Sequence, residues 1–220
     1  MHLHNVEQAR FNMIEQQIRP WDVADASVLQ LLSLIKRENF VPAAYRTLAF
    51  VDMCIPLAAG QSMLPPRIQA RLLQDAAVQP GDKVLEIGAG SGYMTAMLAH
   101  LAQRVVAIEI EPELADMARA NLQACGVRNA EVRQGDGAAG AAADGPFDVI
   151  MLGGSVVEVP QALLAQLKVG GRLVAIVGSE PIMHAQVITR TSDSNYKVDE
   201  KWDDNAAPLR NFPAPCAFRF

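Results

Sequence analysis

Three glycines at alternate positions, Gly88, Gly90 and Gly92, break an apolar run and carry the first sign of chemistry in this chain. The run before them, Val84, Leu85 and Ile87, is short enough for a buried parallel strand. After them Thr95, Ala96, Met97, Leu98, Ala99 and Leu101 continue without a helix breaker. Strand, glycine loop and helix in that order make a seat for a nucleotide-like ligand. Glycine leaves no Cβ in the way, and the amides at the helix start point outward. Carboxylates stand where strand ends can present them: Glu86 beside the loop, Glu109 after the next apolar run, and Asp136 between Gly135 and Gly137. A carboxylate at Glu109 can accept from both hydroxyls of a ribose, and one at Asp136 from an adenine amino group. The expected binding set is Glu86, Gly88, Ala89, Gly90, Ser91 and Gly92, joined by Glu109 and Ile110 and by Gly135, Asp136 and Gly137.

Spacing selects among ligands. A dinucleotide fingerprint would place its third glycine at position 93, which is Tyr93. The chain reads E-x-G-x-G-x-G from Glu86 to Gly92 instead, which resembles motif I of the class I S-adenosylmethionine (SAM) methyltransferases. That resemblance implies SAM as cofactor, with S-adenosylhomocysteine as product, and gives Glu86 a part in holding the methionine end.

The elements that must position these residues follow from periodicity. Strands are expected at 84–87, 105–108, 130–134, 147–152 and 172–177, with helices at about 92–103, 112–125 and 160–167 between them. Alternation of this kind predicts a doubly wound, mostly parallel α/β sheet covered on both faces. Ahead of it, Phe11, Ile14 and Ile18 follow helical spacing up to Pro20. Val28, Leu31, Leu32 and Ile35 give a second apolar helix face. These two helices are expected to form a lid. Pro65 and Pro66 open a further helix that ends before Pro80 and Gly81. Behind the core, 185–189 reads as a strand, 193–195 as a turn, and 216–220, CAFRF, as an antiparallel edge. One folding unit is expected, with a helical segment over 1–80, a core over 81–180 and C-terminal strands over 181–220.

Composition excludes several classes. Half the residues are hydrophobic and a fifth are charged, which suits a single large core. Net charge is −5 and no Lys/Arg run occurs, so no nucleic-acid partner is expected. No apolar stretch approaches bilayer length and the first residues lack a signal-like apolar region, so the expected setting is cytoplasmic, with no membrane partner. Cys54, Cys125 and Cys216 lack metal or disulfide spacing and are expected as reduced, packed thiols. His2 and His4 do not make a metal site with only His100 and His184 elsewhere, so no metal is expected. No oligomeric state is specified.

Beyond the glycine loop, most of residues 9–178 resembles the protein-L-isoaspartate O-methyltransferase family. The segments that carry it are RFNMIEQQIR, KRENFVPAAYRTLAFVD, IPLAAGQSMLPPRIQARLL, VLEIGAGSGY, GDG and QLKVGGRLVAIVG. The resemblance implies a seven-stranded Rossmann-like methyltransferase sheet, and methylation of the α-carboxylate of isoaspartyl residues in damaged proteins as a repair step. Its partner would be a protein or peptide bearing isoaspartate. The family pattern G-Q-T-I-S-x-P is here Gly60-Gln61-Ser62-Met63-Leu64-Pro65-Pro66, so Leu64 stands where the family places its active-site Ser. Ser62, two residues earlier, keeps a hydroxyl and in an extended segment would share that face, which makes it the candidate catalytic residue. Two further departures are Gly153-Gly154-Ser155-Val156, in place of an alanine-rich turn ending in Pro, and Asn211-Phe212-Pro213-Ala214, in place of F-V-P-L. A methyltransferase with another acceptor, or a SAM-binding protein without catalysis, would also accommodate these departures.

Overall fold

Apolar residues on both faces of consecutive short strands dictate a sheet buried between helical layers, and the computed structural model of the chain, described over residues 3–213, shows one. Two short strands, β1 (Ile55–Pro56) and β2 (Ser62–Met63), form an antiparallel ribbon. The main sheet contains β3 (Lys83–Ile87), β4 (Arg104–Glu109), β5 (Ala130–Gln134), β6 (Phe147–Val156), β7 (Leu167–Ser179), β8 (Ile182–Arg190) and β9 (Tyr196–Asp203). Their order is β5-β4-β3-β6-β7-β8-β9. The first five run parallel, and β8 runs antiparallel to both of its neighbours. The chain leaves β3 toward β4 and β5, then returns to β6 on the other side. The order therefore reverses between β3 and β6, and a crevice opens beyond their carboxyl ends.

Helices α1 (Leu3–Asn12), α2 (Ala26–Leu34), α3 (Pro66–Ala76), α4 (Tyr93–Leu101), α5 (Pro112–Ala124) and α6 (Gln161–Leu164) complete the layers. Val84, Val105, Val149 and Val174 join one apolar cluster with α1 to α5. Leu85, Val106, Ile150 and Leu173 face the opposite cluster. Period-two alternation thus sends Glu86, in register with Val84, toward the helices of the first cluster. α2 begins at Asp25, whose carboxylate accepts from the Ser27 and Val28 amides at 2.8 and 3.2 Å. Gln74 on α3 accepts from the Ala24 and Asp25 amides, at 2.8 and 3.0 Å, and locks the two helices together.

Several expectations are corrected. The first two helices pack into the main apolar cluster through Met13, Ile14, Ile18, Val28 and Leu32, so they belong to the body of the fold and not to a separable lid. Phe11 is exposed, because a π-helical turn over Met13–Ile18 rotates the buried face onto Met13, Ile14 and Ile18. The helix expected over 160–167 has only four residues, since Leu167 already pairs with Phe147 in the sheet. β9 was not expected, and β8 with β9 supplies the antiparallel edge. The edge read at 216–220 lies outside the described residues. Cys54 and Cys125 are free and exposed, not packed. Among the described residues no helix is long and apolar enough to cross a membrane, and no group of three or more His, Cys, Asp or Glu could hold a metal.

Candidate active site

The turn leaving β3 is built from left-handed backbone. Gly88, Gly90 and Gly92 have φ of 87°, 54° and 82°, a region that L side chains occupy at a cost. Alternate spacing is thereby explained, for Ala89 and Ser91 between them are buried. At Gly92 close packing adds to the requirement: a Cβ there would lie 3.1 Å from the Cα of Ala118 on α5. The loop is fastened to β4. Gly88 N–H donates to the Ile108 carbonyl at 2.8 Å, and Gly90 N–H donates to Glu109 Oε2 at 2.7 Å. Glu109 Oε1 accepts from the Glu111 amide at 3.0 Å, so backbone N–H groups hold both carboxylate oxygens at the crevice edge.

Two lobes make up the crevice. One, open to solvent, spans about 550 Å³ and is walled by Ile87, Glu109, Ile110, Leu114, Gly137 and Phe212. A second, of about 410 Å³, is walled by Leu64, Gln69, Glu86, Ser91, Tyr93 and Met94. Leu57, Ser62, Gly88, Gly90 and Gly153 line both, so the lobes meet across the glycine turn. Ser62, Met63 and Leu64 all line the second lobe, so alternation along this segment does not by itself single out Ser62 and Leu64.

Glu86 is the polar anomaly. It sits in β3 rather than in the loop, is fully buried, and neither carboxyl oxygen has a hydrogen-bond partner among the described residues. Burial pushes its pKa up to about 8; the nearby Thr95 hydroxyl opposes that rise, and Glu109 adds to it. An unpartnered acid in a lobe wall keeps capacity for a donor or a cation.

Asp136 and Gly135 do not reach the wall of the first lobe. Asp136 is exposed, accepting from the Ala138 amide at 2.9 Å and from Asn211 Nδ2 at 2.9 Å. Asn211 belongs to a strap, residues 204–213, that crosses the carboxyl ends of the strands. The Leu209 amide donates to the Ser155 carbonyl at 2.8 Å, and the Ser155 amide donates to the Ala207 carbonyl at 2.9 Å. Arg210 pairs with Glu111 and donates to the Ala59 carbonyl at 2.7 Å. With its amide oxygen turned inward, Gln61 also accepts from Arg210 Nε and Nη2, at 3.0 and 2.7 Å. Leu209, Arg210 and Phe212 all line the first lobe, yet no periodicity marks them. Only Phe212 carried a sequence signal, as part of the departure 211–214, and Leu209 and Arg210 carried none. The other departure has a geometric reason: a Cβ at Gly153 would lie 2.3 Å from the Gly88 carbonyl oxygen, and one at Gly154 2.8 Å from that of Ala207.

A family model described as protein-L-isoaspartate(D-aspartate) O-methyltransferase matches residues 8–208. The chain belongs to this family. Among relatives of the isoaspartyl methyltransferase family, a protein-L-isoaspartate O-methyltransferase of Koribacter versatilis is 42% identical over 200 residues, 91% of this chain and 90% of the relative. A protein-L-isoaspartate O-methyltransferase 1 of Rhodopseudomonas palustris is 40% identical over 201 residues, 91% of this chain and 82% of its own. Among solved structures, a Plasmodium falciparum protein-L-isoaspartate O-methyltransferase in complex with S-adenosyl-L-homocysteine superposes with a TM-score of 0.77 at 18% identity. It covers 93% of this chain and 97% of that one, and at that identity the likeness concerns the fold.

Proposed function

We propose that this isoaspartyl methyltransferase family member uses SAM to methylate the α-carboxylate of isoaspartyl residues in proteins, a repair reaction carried out in the cytosol. The observation that carries the reading is the pair of lobes joined at Gly88 and Gly90, one edged by a fixed carboxylate and the other closed by a buried acid.

The residues present fit that cofactor. Each Glu109 oxygen accepts one backbone N–H and keeps capacity for one ribose hydroxyl. The glycine turn gives close backbone approach, and the orphaned Glu86 carboxyl can take the amino group of the methionine end. Bound SAM supplies a methyl on a sulfonium, which a carboxylate oxygen of the acceptor takes while the electrons of the broken S–C bond stay on sulfur. The acceptor is already ionised near neutral pH, so no general base is required. What the chain contributes is orientation and exclusion of water, and orientation alone can be worth roughly 7 to 11 kcal/mol. Ser62 lines both lobes, which supports a role for its hydroxyl in holding the acceptor against the cofactor side.

Glu86 makes the reading pH-sensitive. Its pKa in the folded chain is raised, so its neutral form contributes stability that is complete below the ordinary carboxylate value of 4.5. That contribution is lost progressively as pH rises toward 8. A cation in the second lobe favours the ionised acid, so SAM affinity should rise with pH through the same window. Glu86→Gln should flatten both the ligand-free urea-denaturation profile and the affinity profile; slopes that persist in the variant would remove Glu86 from this role.

Incubation with methyl-labelled SAM and paired peptides tests the function. Label should enter the isoaspartyl peptide and not its aspartyl twin; label in neither, at high enzyme, ends the proposal. A different acceptor is the second reading, favoured by Leu64 in the lobe wall. It predicts isoaspartyl transfer only after Leu64→Ser.

A further inference from the structure

Leu64 leaves the second lobe without the hydroxyl donor that the family pattern would supply there, and a buried carboxylate left without a donor binds poorly. A donor does stand one helical turn further on. Gln69 lies on the first turn of α3, its amide bonded to the Pro65 carbonyl at 3.1 Å, and its side chain is nine-tenths buried in the wall of that lobe.

Its orientation is set from behind by Arg37. The Arg37 guanidinium is fully buried and has no carboxylate partner among the described residues. It donates from Nε to the Ala49 carbonyl at 3.0 Å, from Nη2 to the Leu64 carbonyl at 2.7 Å, and from Nη1 to Gln69 Oε1. It also packs 5.2 Å from the centre of the Tyr93 ring. A guanidinium carries donors only, so the Gln69 amide must turn its oxygen to Arg37 and its NH₂ away. Among the described residues that Nε2 has no acceptor. Polarised through its oxygen by a buried positive charge, the amide becomes a stronger donor than a free glutamine.

We propose that Gln69, oriented by Arg37, is the specificity-determining donor that receives the acceptor's carboxylate in the second lobe, in place of the hydroxyl absent at Leu64. The inference rests on the isoaspartyl-methylation reading above. Arg37 acts through Gln69 and Leu64, which makes it a positioning residue.

Gln69→Glu separates recognition from structure. The substituted carboxylate still accepts from Arg37, and gives that buried cation a counter-ion, so folding should hold, and SAM, whose cationic methionine end shares the lobe, should bind no more weakly. Toward the substrate it removes the donor and presents a negative charge. KM for the isoaspartyl peptide should rise by about tenfold or more, with SAM affinity no weaker than that of the parent, as loss of a charge-assisted hydrogen bond to the acceptor requires. Gln69→Leu should raise KM similarly, and Leu64→Ser in that background should recover much of the loss by restoring a hydroxyl to the same wall. A parent chain that methylates the peptide and a Gln69→Glu chain with the same KM would overturn the inference alone. A parent chain that transfers nothing to the peptide overturns the functional reading and this inference with it.

Discussion

Valine at position 88 should lower SAM affinity by at least about 100-fold, equivalent to about 2.7 kcal/mol, while the chain stays folded. Gly88 sits at φ 87°, where a β-branched residue is strained, and its added Cβ would lie 2.8 Å from Leu209 Cδ2. That contact is with the far end of a flexible side chain, so the strap can give way and the fold survives. Gly88 lines both lobes, and a branched group there stands where the ligand must cross from one to the other. Calorimetric titration of Gly88→Val reads the effect directly, and parental affinity would contradict the placement of the site.

Gly153→Ala should act through the scaffold. A Cβ at this position meets the Gly88 carbonyl oxygen at 2.3 Å and the Ile87 carbonyl oxygen at 3.3 Å, and backbone atoms cannot swing aside. β3 and β6 would have to part at the crevice itself. Overpacking of this kind costs about 3 kcal/mol at its upper end, and the urea midpoint should fall accordingly. Gly81→Ala is the control, because no atom lies within 4 Å of its added Cβ and its φ is not positive. Its stability should change by no more than about 0.5 kcal/mol. Equal midpoints for the two variants would show that the approach of Gly153 to Gly88 is not as tight as described.

The central parallel strands were legible because they are buried on both faces, and the edge strand β5, with only Val132 buried, was legible by its alternation. Val84 to Ile87, Val105 to Ile108 and Ala130 to Gln134 appear as short apolar or alternating runs closed by glycine, proline or acidic residues, and all three lie in the sheet. The glycine turn was legible for a backbone reason, since alternate left-handed positions admit little else. β9 was not, because YKVDEKWD is mostly charged and its Val198 remains exposed, so no apolar alternation marks it. Phe11 misled because one π turn changes the angle between residues that α-helical counting treats as aligned.

Within the site, local residues could be read and distant ones could not. Glu109 occupies the lobe wall that its position after the apolar run 105–108 suggested, whereas Asp136 bonds outward to Asn211, 75 residues further along the chain. Contacts such as Arg210 with Glu111, or Arg37 with Gln69, join segments that no sequence period relates. Leu64 looked like a loss in the sequence; in three dimensions it shares its wall with an amide one turn away.

The most direct measurement is a calorimetric titration of the chain with SAM and, separately, with NAD. The account predicts one SAM per chain, bound at micromolar concentration or tighter, an affinity of about −8 kcal/mol or better, and no heat from NAD. Saturable NAD binding, or no SAM binding, would contradict it.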